Sequence, residues 1–244
     1  MELKGKLVVV IVGGKFGQRA VRFAKDSQAK VAVIDKNAKC RASKLVTSIV
    51  EDGAADQVLA MNEGESTLFV REGIDFLLRL IELSFPDYIS PAMPGHLMGT
   101  IIQRWLEENS FTVEGERHVL DAILRRLPDN IVLDADREKS SIIVSYLPKE
   151  LKCPALCPHP EKFCFITKGL KMGPMYQILD FATWEIADVS KIFMSHQLGP
   201  DAGAIEGSEV LDMLKHLGKL QPPYNMALGT ACECHGILNT FRVT

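Results

Sequence analysis

The sequence predicts an α/β protein. Residues 1–110 read as a Rossmann-like doubly wound parallel sheet, and residues 111–244 as a smaller α/β lobe with a cysteine-rich loop. Three observations carry this. Continuous apolar runs alternate with amphipathic stretches through the first 110 residues, the pattern of strands buried on both faces and joined by crossover helices. The first run ends in glycines. Past residue 110 the alternation breaks down, and five of the six cysteines fall in two short segments.

Leu7 to Val12 is an apolar, β-branched run closed by glycine, and the residues from Lys15 onward have helical spacing. Ala29 to Ile34 is a second strand, ended by Asp35, with a helix expected over Ala38 to Val50. Val58 to Met61 reads as a short third strand and Ser66 to Leu83 as one long helix. Asp87 to Ser90 is a fourth strand stopped by Pro91, and His96 to Glu108 is a helix with Leu97, Ile101 and Trp105 on one face. Later come a helix over His118 to Leu127 and a hairpin from Ile131 to Asp134 and Ile142 to Tyr146, whose Asp134 and Asp136 fit turn chemistry. Leu151 to Gly173 is a loop rich in proline, glycine and cysteine. A helix near Met175 to Phe181, a strand Lys191 to Met194, a glycine-rich loop Gly199 to Gly207, a helix Ser208 to Leu217 and two final strands complete the chain. In that glycine-rich region Ser195, His196, Asp201 and Glu206 could line a small-molecule site or simply form a surface loop.

Apolar residues make up 47% of the chain, charged residues 24%, and the net charge is -3, so no basic surplus points to nucleic acid. No apolar run approaches the roughly 18 residues of a membrane span. The N-terminal strand is too short and wrongly flanked for a secretory leader. A cytoplasmic protein is expected, whose cysteines act as thiols or metal ligands before disulfides. A homo-oligomer is compatible with all of this.

In the stretch KLVVVIVGGKFGQRA, Gly14 and Gly17 match the glycines of a dinucleotide turn that admit pyrophosphate and pack helix on strand, with Val12 where the first glycine belongs and Gly13 beside it. Lys15 and Phe16 open the helix whose N-terminus would meet the phosphates, and Lys15 and Arg19 add positive charge. Asp35, 21 residues after Gly14, is placed to accept hydrogen bonds from a ribose, which favours NAD over NADP. The alternative is a tight strand-helix corner that binds no nucleotide. The segment LKGKLVVVIVGGKFGQRA resembles the opening of the dehydrogenase domain of siroheme synthase, and with VAVIDKN it resembles the NAD-binding domains of potassium-uptake regulators. The resemblance implies nucleotide binding at Gly13, Gly14 and Gly17, and no catalytic residue carries over. His96, at the carboxyl end of the fourth strand where open α/β sheets bind ligands, is a candidate acid or base, or else a hydrogen-bonded helix-start residue.

Cys153, Cys157 and Cys164 form a C-x3-C-x6-C set, and Cys232, Cys234 and His235 follow some seventy residues later. Together they could hold a tetrahedral zinc ion or an iron-sulfur cluster. The alternatives are plain thiols or an oxidised pair. Cys40 reads as an isolated thiol, and His159 as a ligand or a loop residue. Two functions follow: an NAD(P)-dependent oxidoreductase acting on an unidentified small molecule, with a metal or iron-sulfur centre in its second lobe, or a nucleotide-sensing module with a structural metal and no catalysis.

Overall fold

The computed structural model describes residues 2–154, 157–158, 160–199 and 202–244. The chain forms two compact units: residues 1–97 with 196–215, and residues 98–195 with 216–244. A boundary near residue 110 was expected, but the chain leaves the first unit at 97 and later returns to it. The reason is the glycine-rich stretch expected to be a loop. It forms a hairpin, β10 (His196–Gly199) and β11 (Ala202–Glu206), that adds to the edge of the first sheet.

That sheet runs β10-β11-β5-β1-β2-β4-β3, built from β1 (Leu7–Ile11), β2 (Lys30–Asp35), β3 (Ser48–Glu51), β4 (Ser66–Val70) and β5 (Tyr88–Pro91) together with the hairpin. The strands from β5 to β3 are mutually parallel, as their apolar runs predict. β11 lies antiparallel on β5, so the sheet as a whole is mixed. Helices α1 (Lys15–Asp26) and α2 (Gly73–Leu83) pack on it. Val8, Val10, Val31, Val33, Ala20 and Ala24 form the core under α1.

Three expected elements differ. Ala38 to Val50 is a short 3-10 turn, Arg41–Lys44, followed by β3. Its β-branched Thr47, Ile49 and Val50 crowd a helix and suit a pleat, where Thr47 and Ser48 hydrogen-bond Ser66 and Thr67. Val58 to Met61 is not a strand, because the backbone there continues a 3-10 turn, Ala55–Val58. Ser66 to Leu83 divides into β4 and α2. The break falls at Glu72, whose carboxylate accepts the N–H groups of Ile74 and Asp75 at 2.8 Å and caps the helix.

The second unit is a six-stranded mixed sheet in the order β7-β8-β13-β12-β9, with β6 (Val113–Gly115) also on β13. Its strands are β7 (Val132–Asp136), β8 (Ser141–Ser145), β9 (Val189–Met194), β12 (Tyr224–Ala231) and β13 (His235–Val243). Between β9 and its parallel neighbour β12 the chain visits the first unit through β10, β11 and α6 (Gly207–Leu217). α3 (Leu97–Glu108) opens the unit. α4 (Arg117–Leu124) and α5 (Met175–Thr183) pack on the sheet through Leu120, Ile123, Met175 and Leu179 against Ile142, Val144 and Leu238. Among the described residues no helix is long and apolar enough to cross a membrane.

Candidate functional site

Two places collect the residues singled out by the sequence, one in each unit. In the first, β1 runs into α1 through Val12, Gly13 and Gly14. Val12, at the position of the missing first glycine, has φ +74°. A β-branched residue in the left-handed region costs about 1–2 kcal/mol, so the turn imposes a glycine's conformation on a valine. Gly17 is fixed by close approach: a methyl group there would collide with the Val12 carbonyl oxygen. Gly14 caps α1 with no side chain, and a Cβ on it would meet only Val12 Cγ1 at 4.0 Å. No acid lies in the first helical turn, and Lys15 and Phe16 are exposed there. The Arg19 guanidinium stands 5.8 Å from the Phe16 ring centre.

Gly13 and Asp35 have nearby partners from the chain itself. One Asp35 oxygen accepts the Gly13 N–H at 2.7 Å and the other the Asn37 N–H at 2.8 Å. A Cβ on Gly13 would lie 2.5 Å from Cys40 Sγ and 3.0 Å from Ala42 Cβ, and Ala42 N–H donates to the Gly13 carbonyl at 2.9 Å. The loop after β2 therefore lies directly on Gly13. Burial raises the pKa of the Cys40 thiol. Neither the contact between Cys40 and Gly13 nor the φ of Val12 is visible in the sequence. His96 is 7% exposed and lies between β5 and α3. His196, expected in a glycine loop, faces Glu206 across the hairpin, Nε2 to Oε1 3.6 Å. Asp201 and His159 fall outside the described residues.

In the second unit the two cysteine segments meet. Cys232 to His235 is the turn between β12 and β13, closed by Cys232 N–H to the His235 carbonyl at 3.0 Å. Cys234 N–H points at Cys232 Sγ, 3.4 Å away, and Cys232 Sγ lies 3.7 Å from His235 Nδ1. The turn sits over the start of α5, whose Met175 and Tyr176 N–H groups donate to the Glu233 and Cys232 carbonyls. The other segment folds back on itself: Phe163 pairs with Leu170, and Cys164 N–H bonds the Gly169 carbonyl at 2.8 Å. Tyr146 anchors its end, the hydroxyl donating to the Gly173 carbonyl at 2.8 Å and accepting from Met172 N–H and Gly173 N–H.

The thiols sense one another. Burial first, then the neighbouring Cys157, Cys234 and Cys164, push the Cys153 thiol up to about 12. Cys234 is likewise raised by burial and by Cys232 and Cys157, opposed by Lys171. Cys164 goes the other way: burial raises it, but hydrogen bonds from the Thr167 side chain and from the Thr167 and Ile166 N–H groups, with the Lys171 charge, hold it below its usual value. Burial and Lys171 lower His235. Lys171 Nζ is bound to the Pro160 carbonyl at 2.6 Å. All six cysteines are unbonded to one another.

Among the described residues no three of these side chains already stand at metal-ligand spacing, yet three other sulfurs from two segments, those of Cys157, Cys164 and Cys234, lie within electrostatic reach of Cys153. A set of four thiols suits zinc or an iron-sulfur cluster. N–H groups aimed at Cys232 and Cys164 and a lysine beside Cys234 are the outer partners that thiolate ligands require. The sequence alone missed Lys171, Thr167 and Tyr146. Only Thr167, three residues after Cys164, had a readable signal, as a backbone and hydroxyl donor at turn spacing.

Fold and site thus define a two-sheet α/β protein with a glycine turn in one unit and a cysteine corner in the other. The chain belongs to a family described as AF_1314_C, uncharacterized protein, C-terminal domain, which matches residues 100–244. The corresponding N-terminal domain matches residues 7–97. An uncharacterized protein of Archaeoglobus fulgidus is 30% identical over 234 residues, 96% of this chain and 98% of its own length. Among solved structures, N5-carboxyaminoimidazole ribonucleotide synthetase from Thermotoga maritima aligns with 54% of this chain and 39% of its own, at 18% identity and a TM-score of 0.25. So faint a likeness carries no argument.

Proposed function

We propose that the protein is an NAD(P)-binding oxidoreductase with one thiolate metal centre in its second unit. The observation that carries this is the meeting of Cys153, Cys157, Cys164 and Cys234, contributed by two segments some seventy residues apart, at a corner where Cys232 and His235 adjoin. Neutral thiols gain little from one another's company, whereas a zinc ion or an iron-sulfur cluster turns their mutual repulsion into attraction and releases their protons. When bound, the centre would supply structural cross-linking as zinc, or one-electron transfer as a cluster. Lys171 would offset part of the negative charge left by four thiolates, and Thr167 would hold Cys164 in its ionised form.

The nucleotide arm of the proposal rests on the first unit. We read the run β4-β2-β1-β5 as Rossmann-like, with NAD(P) at Gly13, Gly14, Lys15, Phe16 and Gly17 and its ribose near Asp35. Val12 in a glycine's conformation and Gly17 against the Val12 carbonyl support that reading. NAD is favoured because the Asp35 carboxylate repels a 2'-phosphate. A reducing compartment such as the cytoplasm suits free thiols.

A nucleotide-sensing module with a structural metal is the second reading. It is favoured by His96, the proton-transfer candidate that follows β5, being buried rather than presented to solvent. Metal content and visible absorption of anaerobically purified protein test the centre. A brown protein with a broad band near ~400 nm would identify a cluster, and a colourless one with stoichiometric zinc a structural site. Calorimetric titration with NADH tests the nucleotide arm. NADH oxidation with an artificial electron acceptor separates the readings, because binding without turnover would leave only the sensor.

A further inference from the structure

We infer that a second copy of this chain docks, in a two-fold arrangement, on the face formed by Leu170, Met172, Phe181 and Trp184. These four side chains of the second unit are 85%, 58%, 67% and 62% exposed. At roughly 200 Å² for a large side chain, they present on the order of 500 Å² of apolar surface. That is already most of the ~800 Å² per partner in a standard interface. Solvent-facing Met, Phe and Trp are the residue types that anchor protein interfaces.

The four belong to one surface. Leu170 and Met172 flank Lys171, whose amine is turned to the Pro160 carbonyl and toward Cys234, so its neighbours are directed away from the thiols. Met172 and Phe181 both rim a hollow of about 280 Å³ lined also by Arg126, Pro128 and Ile178. Arg126 Nη1 reaches the Trp184 carbonyl at 2.6 Å, which ties the end of α5 to the same wall.

Two features select a second copy as the occupant. The hollow has room for one aromatic side chain, and exposed aromatics stand beside it, so a two-fold partner brings a knob to each hole. The charges at the two ends of the face are also opposite. Exposed Lys162 and Lys168, partly offset by Glu161, lie on the hairpin before α5, while exposed Asp180 and Glu185, partly offset by Arg126, lie at the far end of α5, so the two ends keep opposite net charge. The helix between them is about 13 Å long. A two-fold axis sets the basic end of one copy against the acidic end of the other. This interface goes beyond the metal-centre reading and does not need a bound metal.

Sedimentation equilibrium of the full chain, from about 1 μM to about 300 μM, tests it. The expected result is a dimer that weakens as salt rises. Phe181→Glu combined with Trp184→Glu should raise the dissociation constant at least about 100-fold, with the circular dichroism and metal content of the parent kept. Lys168→Glu should weaken the dimer about tenfold, and adding Glu185→Lys should restore it. A monomer at the highest concentration, including one that gains mass only with another protein, overturns the inference. So does a dimer indifferent to the Phe181/Trp184 variant. Loss of metal with the dimer intact would instead bear on the metal-centre reading alone.

Discussion

Asp35 and Cys153 are both ionisable groups in or beside a loop, and their surroundings differ in kind. Asp35 receives two backbone N–H groups, and the loop after β2 closes over Gly13 so that backbone donors and acceptors pair within the chain. Cys153 lies among groups of its own type, and burial first, then their proximity, holds its proton on. The first corner is organised by short-range backbone hydrogen bonds within about thirty residues of chain. The second joins segments some seventy residues apart, and its thiols raise one another's pKa after burial has raised it first. A corner of the first kind can be made by folding alone, whereas one of the second kind would, on the proposed metal-centre reading, gain stability from what it binds.

The strongest way to break this contrast is to remove a thiol. Cys157→Ala should abolish stoichiometric metal and destabilise the second unit by about 3 kcal/mol or more, read by elemental analysis and thermal melting. NADH titration of the same variant should be unchanged. Metal retained at full stoichiometry would remove Cys157 from the centre.

In the first unit, Gly17→Val should cost about 2–4 kcal/mol in chemical denaturation, because the side chain collides with the Val12 carbonyl. Gly14→Val, with open space around its Cβ, should cost only about 1 kcal/mol as a poorer helix N-cap while blocking the nucleotide. If both variants merely destabilise, the turn is a structural corner. Asp35→Ser comes next, at about 1–3 kcal/mol for the two lost charge-assisted bonds, and it should narrow the preference for NAD over NADP in parallel titrations.

The thiol corner should also show in a pH series on chelator-treated protein. The folded Cys153 thiol is raised from an ordinary value of 9.0 to about 12. Its stabilising contribution is therefore complete below pH 9 and is lost as the pH rises from 9 through 12, where the unfolded chain has released the proton and the folded one has not. Cys153→Ser should flatten that alkaline decline. Metal-loaded protein should instead lose stability in acid, as protons compete for the ligands. The smallest effect belongs to Val12→Gly. Relief of the left-handed strain, offset by glycine's greater unfolded freedom, should change stability by at most about 1 kcal/mol. A clear loss would mean the valine side chain contributes more packing than its backbone costs.

Much of the architecture was legible because its cause is local. The apolar runs of β1 and β2, the 3.6-residue spacing of α3 and the hairpin of β7 and β8 lie within two residues of where the sequence puts them. Pro91, expected to stop the fourth strand, is instead its last paired residue. Asp134, expected in the hairpin turn, pairs with Ile143 inside β7, while Asp136 alone of the two accepts turn N–H groups, from Glu138 and Lys139. Ser66 to Leu83 was not legible as two elements, since Leu68, Phe69, Phe76 and Leu77 are apolar in either conformation, and only pairing of β4 with β2 and β3 selects the strand. The β10-β11 hairpin was read as a loop because its glycines lower strand propensity, while its stability comes from β5, more than a hundred residues away in sequence.

The same division holds at the two corners. The sequence by itself determined which residue types were available: glycines at a strand-helix junction, an acid closing the second strand, and cysteines in two segments. Only the tertiary structure decided that Cys40 and Ala42 lie on Gly13, that Val12 takes a positive φ, and that Lys171 and Thr167 stand among thiols that meet. Residue type and local spacing follow from chain chemistry. Contacts between distant segments exist only once the sheets have closed and the loop entropy has been overcome.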